Sequence, residues 1–233
     1  MEQYTGEDQK DCFTCTYRSP MFDLLTQDEL KLMKENRIPV VFKSGEIIRK
    51  QGTHMSHVIS VTHGLAKLYR EGEKDITTIM RIVKPTNFIG GPGIFSDHIH
   101  HFTVAALMTT SVCFIDLKVF KTILDNNKVF QEAFLNDFSN NVLSVYYRLI
   151  ELTHKQVPGR MADTLLYLFD DVFDNHRIKP LLSKKDFADL SAMSRDSATK
   201  ILREFQNDDI INFTKDEFVL LNPEALKRIS RNG

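Results

Sequence analysis

No stretch of about 18 uninterrupted apolar residues occurs in the chain, which excludes a transmembrane helix and leaves no expected membrane partner. Cysteine is scarce, at 3 residues, and odd in number. A disulfide framework is therefore not expected, and the cytoplasm is the expected compartment. The opening MEQYTGEDQKD lacks both the basic start and the apolar run of a secretory signal. Charge of one sign is also missing: 30 Lys and Arg face 31 Asp and Glu, for a formal net charge of −1. The molecule is not a polycation that coats nucleic acid or anionic membranes, so any nucleic-acid binding must come from a local basic face. No Ser-His-Asp set, phosphate-binding loop or paired-carboxylate site stands out, and no enzymatic activity is expected. No internal repeat or low-complexity tract is visible.

What is present is 233 residues, 42% of them apolar, enough for a packed core and for one large domain or two modest ones. Residues 1–20 are polar and read as an arm carrying Cys12 and Cys15. Thr26 followed by Glu29 is a capping-box pattern and predicts a short helix. From residue 38 to about 120, short apolar runs near ten residues apart alternate with Ser44-Gly45, Gln51-Gly52, His63-Gly64, Glu71-Gly72, Pro85 and Gly90-Gly91-Pro92-Gly93. That texture predicts an all-β barrel or jelly roll. Leu135, Phe138, Val142, Val145, Leu149 and Leu152 then recur at spacings of 3 and 4, an a/d seam that predicts a long helix. A second stripe (Phe134, Tyr146, Tyr147, Ile150) lies elsewhere on that helix. One stripe can pack on the β domain, and the other calls for a second copy of the chain. Val157-Pro158-Gly159-Arg160 is expected to break the helix and act as a hinge, with residues 161–174 helical again.

Near the C-terminal end, Ser183 with Asp186 starts one helix, Ser191-Ala192-Met193 forms a tight connection, and Ser194 caps a second helix running to about Gln206. Ala198, Ile201, Leu202 and Phe205 form its inner face. Its outer face carries Arg195, Asp196, Thr199, Lys200 and Arg203. Arg and Lys can donate to guanine O6/N7 and Asp can accept from cytosine N4. Arg203 joins Ser183, Lys184, Lys185 and Ser194 as candidate phosphate contacts, aided by the positive helix ends. Two short strands, 210–213 and 218–221, follow and complete a winged helix-turn-helix. A lone charged face is usually only solvated; the caps, small residues and ribbon together point to DNA.

The chain resembles the CRP/FNR family of bacterial transcription regulators from about Met21 to Ile229. The resemblance rests on Lys43-Ser44-Gly45-Glu46, Gln51-Gly52, Gly64, Phe88-Ile89-Gly90, Val157-Pro158-Gly159-Arg160-Met161-Ala162 and Met193-Ser194-Arg195-Asp196-Ser197-Ala198-Thr199-Lys200. It implies an α+β architecture: an N-terminal β-roll, a long dimerisation helix and a C-terminal winged helix. The corresponding segments are the arm at 1–20, the roll at 21–126, the dimer helix at 127–156 and the DNA-binding domain at 157–233. It further implies a cytoplasmic homodimer that binds a palindromic operator in double-stranded DNA and works with RNA polymerase. The family's base-reading positions fall on Arg195, Asp196, Thr199 and Lys200. Arg195 is similar to CRP-like readers, while Asp196, Thr199 and Lys200 look like shortened or softened FNR-type readers. Asp196 is one methylene shorter than the usual Glu.

The family's cyclic-nucleotide cassette uses a Gly-Glu pair for the ribose and an Arg-Ser pair for the phosphate. Here Gly90-Gly91 and His101-Phe102 stand at those positions, and Val145 and Tyr146 replace the base-contacting Thr-Ser pair. Cyclic AMP is therefore not the expected effector. Cys12-Phe13-Thr14-Cys15 and the distant Cys113 resemble the cysteines of FNR-like oxygen sensors, with one missing near Met21. They raise an iron–sulfur cluster with a non-cysteine ligand, or a dithiol/disulfide switch, against an incidental motif and a buried small hydrophobe. Asp97-His98-Ile99-His100-His101 raises a haem or metal site, with His98 and His100 expected on one face of a strand and His101 opposite. A β-roll with His98-x-His100 also resembles cupin metalloenzymes, but no carboxylate follows at the required place. A cyclic-nucleotide-binding regulatory subunit is opposed by the altered cassette and by the winged helix.

Overall fold

A capping box starts the first helix as expected: Thr26 Oγ1 accepts from the Glu29 N–H, and the Glu29 carboxylate accepts from the Thr26 N–H at 2.8 Å. This computed structural model describes Phe13, Cys15 and residues 17–73 and 76–233; Cys12 lies outside the described residues. Pro20–Leu24 forms a 3-10 turn, followed by α1 (Gln27–Glu35). Eight strands then build the roll: β1 (Arg37–Phe42), β2 (Ile47–Arg49), β3 (His57–His63), β4 (Ala66–Glu71), β5 (Thr77–Val83), β6 (Phe88–Ile89), β7 (Thr103–Ala106) and β8 (Thr110–Asp116). They form two sheets, ordered β1-β8-β3-β6 and β2-β7-β4-β5. The short β2 and β6 are not anticipated by the sequence pattern, because runs of two or three residues carry no period. The turn between β3 and β4 requires Gly64, whose φ is +80° and whose Cβ would meet the Thr109 carbonyl oxygen at 2.3 Å.

Strand β8 shows how the two faces divide. Val112 and Phe114 join Ile48, Ile59, Val61 and Val104 in one apolar cluster. Ile115, one residue out of phase, joins Phe22, Met33, Phe88 and Phe120 in the other. Side chains alternate across a strand, so Cys113 shares the face of Ile115. Residues 117–120 read as strand from their apolar run, yet Leu117–Asn126 is helix α2. The Asp116 carboxylate ends the strand by accepting from the N–H groups of Lys118 and Val119 at 2.8 and 3.0 Å, which satisfies two orphan donors of the new helix.

The long helix is α3 (Lys128–His154). At its start, Asn127 Oδ1 accepts from the Phe130 N–H at 3.0 Å, while Asn127 Nδ2 donates to the Glu29 carboxylate at 2.9 Å and to the Leu24 carbonyl at 3.0 Å. Burial works against the charge on Glu29, but the bonds from Thr26 and Asn127 win and hold its carboxyl below the usual range. Phe130 and Phe134 are buried, with rings 5.8 and 5.3 Å from Phe120. The second half of α3 differs: Leu143, Val145, Tyr146, Tyr147, Leu149 and Ile150 are all exposed. Of the second stripe only Phe134 is buried.

The contacts separate two units, one drawn from Met1–Glu71 and Ile82–Val142 and the other from Gly72–Arg81 and Leu143–Gly233. In the second, α4 spans Val157–Leu166 and runs into a wide π-type turn at Tyr167–Val172. Val157-Pro158-Gly159-Arg160 is therefore not a break but the first turn of α4, where proline's missing N–H costs nothing. The break precedes it at Lys155 and Gln156. Lys155 Nζ pairs with Asp163 at 2.7 Å and Ser230 Oγ donates to Asp163 at 2.6 Å. Next come β9 (Arg177–Ile178), α5 (Lys184–Leu190), α6 (Arg195–Asn207), β10 (Ile211–Phe213), β11 (Phe218–Leu220) and α7 (Pro223–Asn232). The wing is a three-stranded sheet ordered β10-β11-β9. Neither β9 nor α7 is signalled by the sequence pattern; α7 starts where Asn222 Oδ1 accepts from the Ala225 N–H at 3.0 Å. The Phe187 ring lies 5.7 Å from Phe213 and 5.6 Å from Phe218, and Phe169 lies 4.7 Å from Phe218. These rings hold the wing to the helices.

Candidate functional site

Both helices of the reading motif begin on side-chain caps. Ser183 Oγ accepts from the Asp186 N–H at 3.2 Å, and Asp186 Oδ2 accepts from the Ser183 N–H at 2.8 Å, a reciprocal box on α5. Ser194 Oγ accepts from the Ser197 N–H at 3.1 Å and starts α6. Between them, the Ser191 hydroxyl is buried and donates to the Phe187 carbonyl, and Ala192 adopts a φ of +48°. Arg160 Nη1 donates to the Ala192 carbonyl at 2.8 Å, tying α4 to this connection. Arg148 Nη2 donates to the Leu190 carbonyl, and burial pushes its guanidinium below the ordinary arginine range. Neither arginine stands out in the sequence as a support of this motif, because the carbonyls they hold lie 32 and 42 residues away.

On α6, Ala198, Ile201, Leu202 and Phe205 are buried, which fixes the helix roll. That leaves Arg195, Asp196, Lys200 and Arg203 exposed and Thr199 half-buried on the outer side. Lys200 Nζ lies 3.8 Å from Glu204, a loose surface pair. Among the phosphate candidates, Lys184 and Lys185 are exposed, and Lys185 pairs with Asp189 at 2.7 Å. Ser183 and Ser194 use their hydroxyl oxygens as caps. The wing turn carries Lys215 exposed at its tip, a further cation on this domain that composition alone does not distinguish.

Residues 39–127 match the cyclic nucleotide-binding domain family and residues 159–229 match the Crp-like helix-turn-helix domain family. The chain is 24% identical over 187 residues to the HTH-type transcriptional regulator Cmr of Mycobacterium tuberculosis, covering 80% of this chain and 74% of that protein. It is 22% identical over 205 residues to the transcriptional regulator SdrP of Thermus thermophilus, covering 86% and 98%. The crystal structure of a crp/fnr-family transcriptional regulator from Eubacterium rectale superposes with a TM-score of 0.76 at 17% identity, covering 91% and 98%. The chain belongs to the CRP/FNR family. It is a CRP-like transcriptional regulator with a DNA-binding helix-turn-helix.

In this CRP/FNR chain the positions expected to correspond to the cyclic-nucleotide cassette can be followed in the fold. Gly90 and Gly91 carry no carboxylate, and Gly93 lies so close to the crossing chain that a Cβ would meet the Ile99 carbonyl oxygen at 2.2 Å. His101 Nε2 lies 3.2 Å from Asp97 Oδ1. The Ile99 N–H and then His101 hold the Asp97 carboxyl below its ordinary range. The imidazole expected at the phosphate-binding position thus lies beside an anionic partner. Phe102 is half-buried and offers no hydroxyl, while Val145 and Tyr146 are exposed on α3. His98 and His100 do not share a strand as expected: the stretch from His98 to His101 is loop, and His98 takes a φ of +56°. The bare Gly93 permits this path: its carbonyl accepts from the His98 N–H at 3.0 Å, and a Cβ there would meet Ile99. His100 is 3% exposed, and burial, with Arg49, His101 and His54 nearby, pushes its imidazole down to about 4. It is neutral at pH 7, and its Nε2 has no hydrogen-bond partner.

Cys15 and Cys113 line one small pocket with Arg18, Arg37, Ser60, Thr62, Phe22, Met33 and Ile115. Arg37 Nη1 donates to Cys113 Sγ at 3.2 Å. Burial pushes the Cys113 thiol up, with Arg37 pulling in the opposite sense. Nothing in the sequence marks Arg37, because only the β1–β8 pairing brings it across 76 residues to the thiol. The described residues do not fit a metal or cluster: no group of three His, Cys, Asp or Glu side chains among them could hold a metal ion. His100, almost fully enclosed, presents no open face to a haem.

Proposed function

We propose that the chain acts as a homodimer on a palindromic operator, reads base edges with Arg195, Asp196, Thr199 and Lys200, and is switched by the redox state of its thiols and not by cyclic AMP. The carrying observation is α6: a capped helix whose buried face leaves Arg195, Asp196 and Lys200 in solvent with Thr199 half-buried beside them. Arg203, Lys184, Lys185 and the Ser194 N–H serve the phosphates, while the Ser183 N–H is already held by Asp186. Leu135, Val145 and Leu149 are exposed, Phe138, Val142 and Leu152 are half-buried, and together they form a row that a second copy would cover. Two-fold pairing of two reading helices demands inverted half-sites about one helical turn apart. RNA polymerase is the protein partner that this placement at a promoter would serve. Redox control is favoured over haem or metal by the shared Cys15/Cys113 pocket, and the occupied His101 and missing carboxylate at Gly91 speak against a cyclic phosphodiester.

Selection of bound fragments from a random duplex library, followed by sedimentation of the complex, tests this reading. An enriched inverted repeat bound by two chains is expected. Failure to enrich any motif, or one chain per site, overturns it. Titration calorimetry with cyclic AMP is expected to show no saturable heat at micromolar ligand.

A further inference from the structure

Three features of the roll meet behind strand β8. Cys113 stands opposite Pro39 on β1 and opposite Ser60 on β3. Arg37 enters from the start of β1 and reaches its sulfur at 3.2 Å. Cys15, which belongs to no helix or strand, closes the same pocket from the arm. The Ser60 hydroxyl is 1% exposed, lines the pocket and has no hydrogen-bond partner. A buried hydroxyl left in this way needs a reason, because an unmade bond in the interior is costly.

We infer that Cys15 and Cys113 are a redox pair that closes to a disulfide across this pocket, in preference to a bridge within Cys12-x-x-Cys15. This rests on the redox reading above and gives it its residues. The oxidant is a hydroperoxide. Cys15 is half-buried and Cys113 almost fully buried, so the oxidant reaches Cys15 first. The Cys15 sulfur attacks one peroxide oxygen, the O–O bond breaks, and the leaving oxygen takes the thiol proton and departs as water or alcohol. Cys15 is then a sulfenic acid, whose hydroxyl has the Ser60 oxygen as a polar neighbour. The Cys113 sulfur attacks the Cys15 sulfur, the S–S bond forms, the S–O bond breaks, and hydroxide leaves with the Cys113 proton as water. Two electrons pass from the sulfurs to the peroxide. Arg37 donates to Cys113 and stabilises negative charge on that sulfur as it attacks. Because Cys15 lies outside regular structure, closing the bond leaves the pairing of β8 intact.

The test uses the full chain, reduced, desalted without oxygen, and treated with a few equivalents of hydrogen peroxide. Free thiols are blocked, and cross-linked peptides are mapped by mass spectrometry without reductant. The Cys15–Cys113 link is expected to exceed the Cys12–Cys15 link at least about fivefold, to persist in Cys12→Ser, and to vanish in Cys15→Ser. A dominant Cys12–Cys15 link, or no intramolecular link in Cys12→Ser, overturns the pairing. Cys12→Ser leaves the buried thiol untouched, so a folding defect in a Cys113 variant does not blur the answer. Operator binding by the reduced protein is measured on the same samples. Its loss would strike the DNA-reading proposal and leave the mapped pair standing.

Discussion

The two ends of the chain spend their polar side chains in opposite ways. In the winged helix they are caps and a comb: Ser183, Asp186 and Ser194 finish helix ends, and the charged readers stay in solvent. In the roll they are drawn inside, where Ser60, Thr62, His100, Thr103, Thr110 and Ser111 are all buried. Capping and exposure make a rigid reading head whose chemistry faces outward. Polar burial in the roll keeps its chemistry out of solvent, where the redox switch proposed above would act. The difference teaches that one end presents its polar groups to solvent while the other encloses them, with Thr62, Thr103 and Thr110 bonded inside and the Ser60 hydroxyl and His100 Nε2 unmatched.

The comparison can be broken most forcefully at the head's own support. Phe187 is 1% exposed and packs edge-on against Phe213 and Phe218. Phe187→Ala should destabilise the winged helix by about 3–5 kcal/mol. Denaturant melts followed through operator binding would show it, and a loss under about 1 kcal/mol would mean the rings do not hold the head together. Next comes the comb. Lys200→Ala should cost roughly 1–3 kcal/mol on the selected operator while leaving random duplex binding nearly unchanged. Equal loss on both sequences in a gel-shift series would remove Lys200 from the base readers.

The roll is tested through His100. Its folded imidazole is pushed down to about 4, below the unfolded value of 6.5, so the unfolded chain takes up the proton first. Stability should be full above pH 6.5 and fall as pH drops from there towards 4, by on the order of 1–2 kcal/mol between pH 7 and 5. Urea midpoints for wild type and His100→Gln should converge at pH 5, and parallel pH curves would refute the assignment. Smallest is the cap: Ser194→Ala should cost about 1 kcal/mol of stability, whereas Ser194→Asp should restore it. Thermal melts that do not distinguish the three proteins would show that the cap is idle.

Legibility follows the same divide. Caps are local, so Thr26 with Glu29, Ser183 with Asp186, and Ser194 are readable in the sequence alone, as is the apolar seam of α3. Helix α2 is not, because Leu117 to Phe120 continue the apolar texture of β8 and only the Asp116 carboxylate reveals the change. The loop through His98 reads as strand in the sequence because the bonds that hold its true path come from separate segments, from Gly93, Met55 and Thr53. The Arg37–Cys113 contact depends on strand register, which no short window of sequence contains. What is legible at the reading head is chemistry on one helix face; what is illegible in the roll is chemistry assembled from separate strands.

One carboxylate gives the sensor a mechanical consequence. Glu29 is shared between Thr26, at the head of α1, and Asn127, whose other side-chain atom receives the first turn of α3. Met33, two turns further along α1, walls the thiol pocket. A displacement of α1 would therefore reach the root of the long helix like a rope on a mast-step, with a single acidic side chain as the knot.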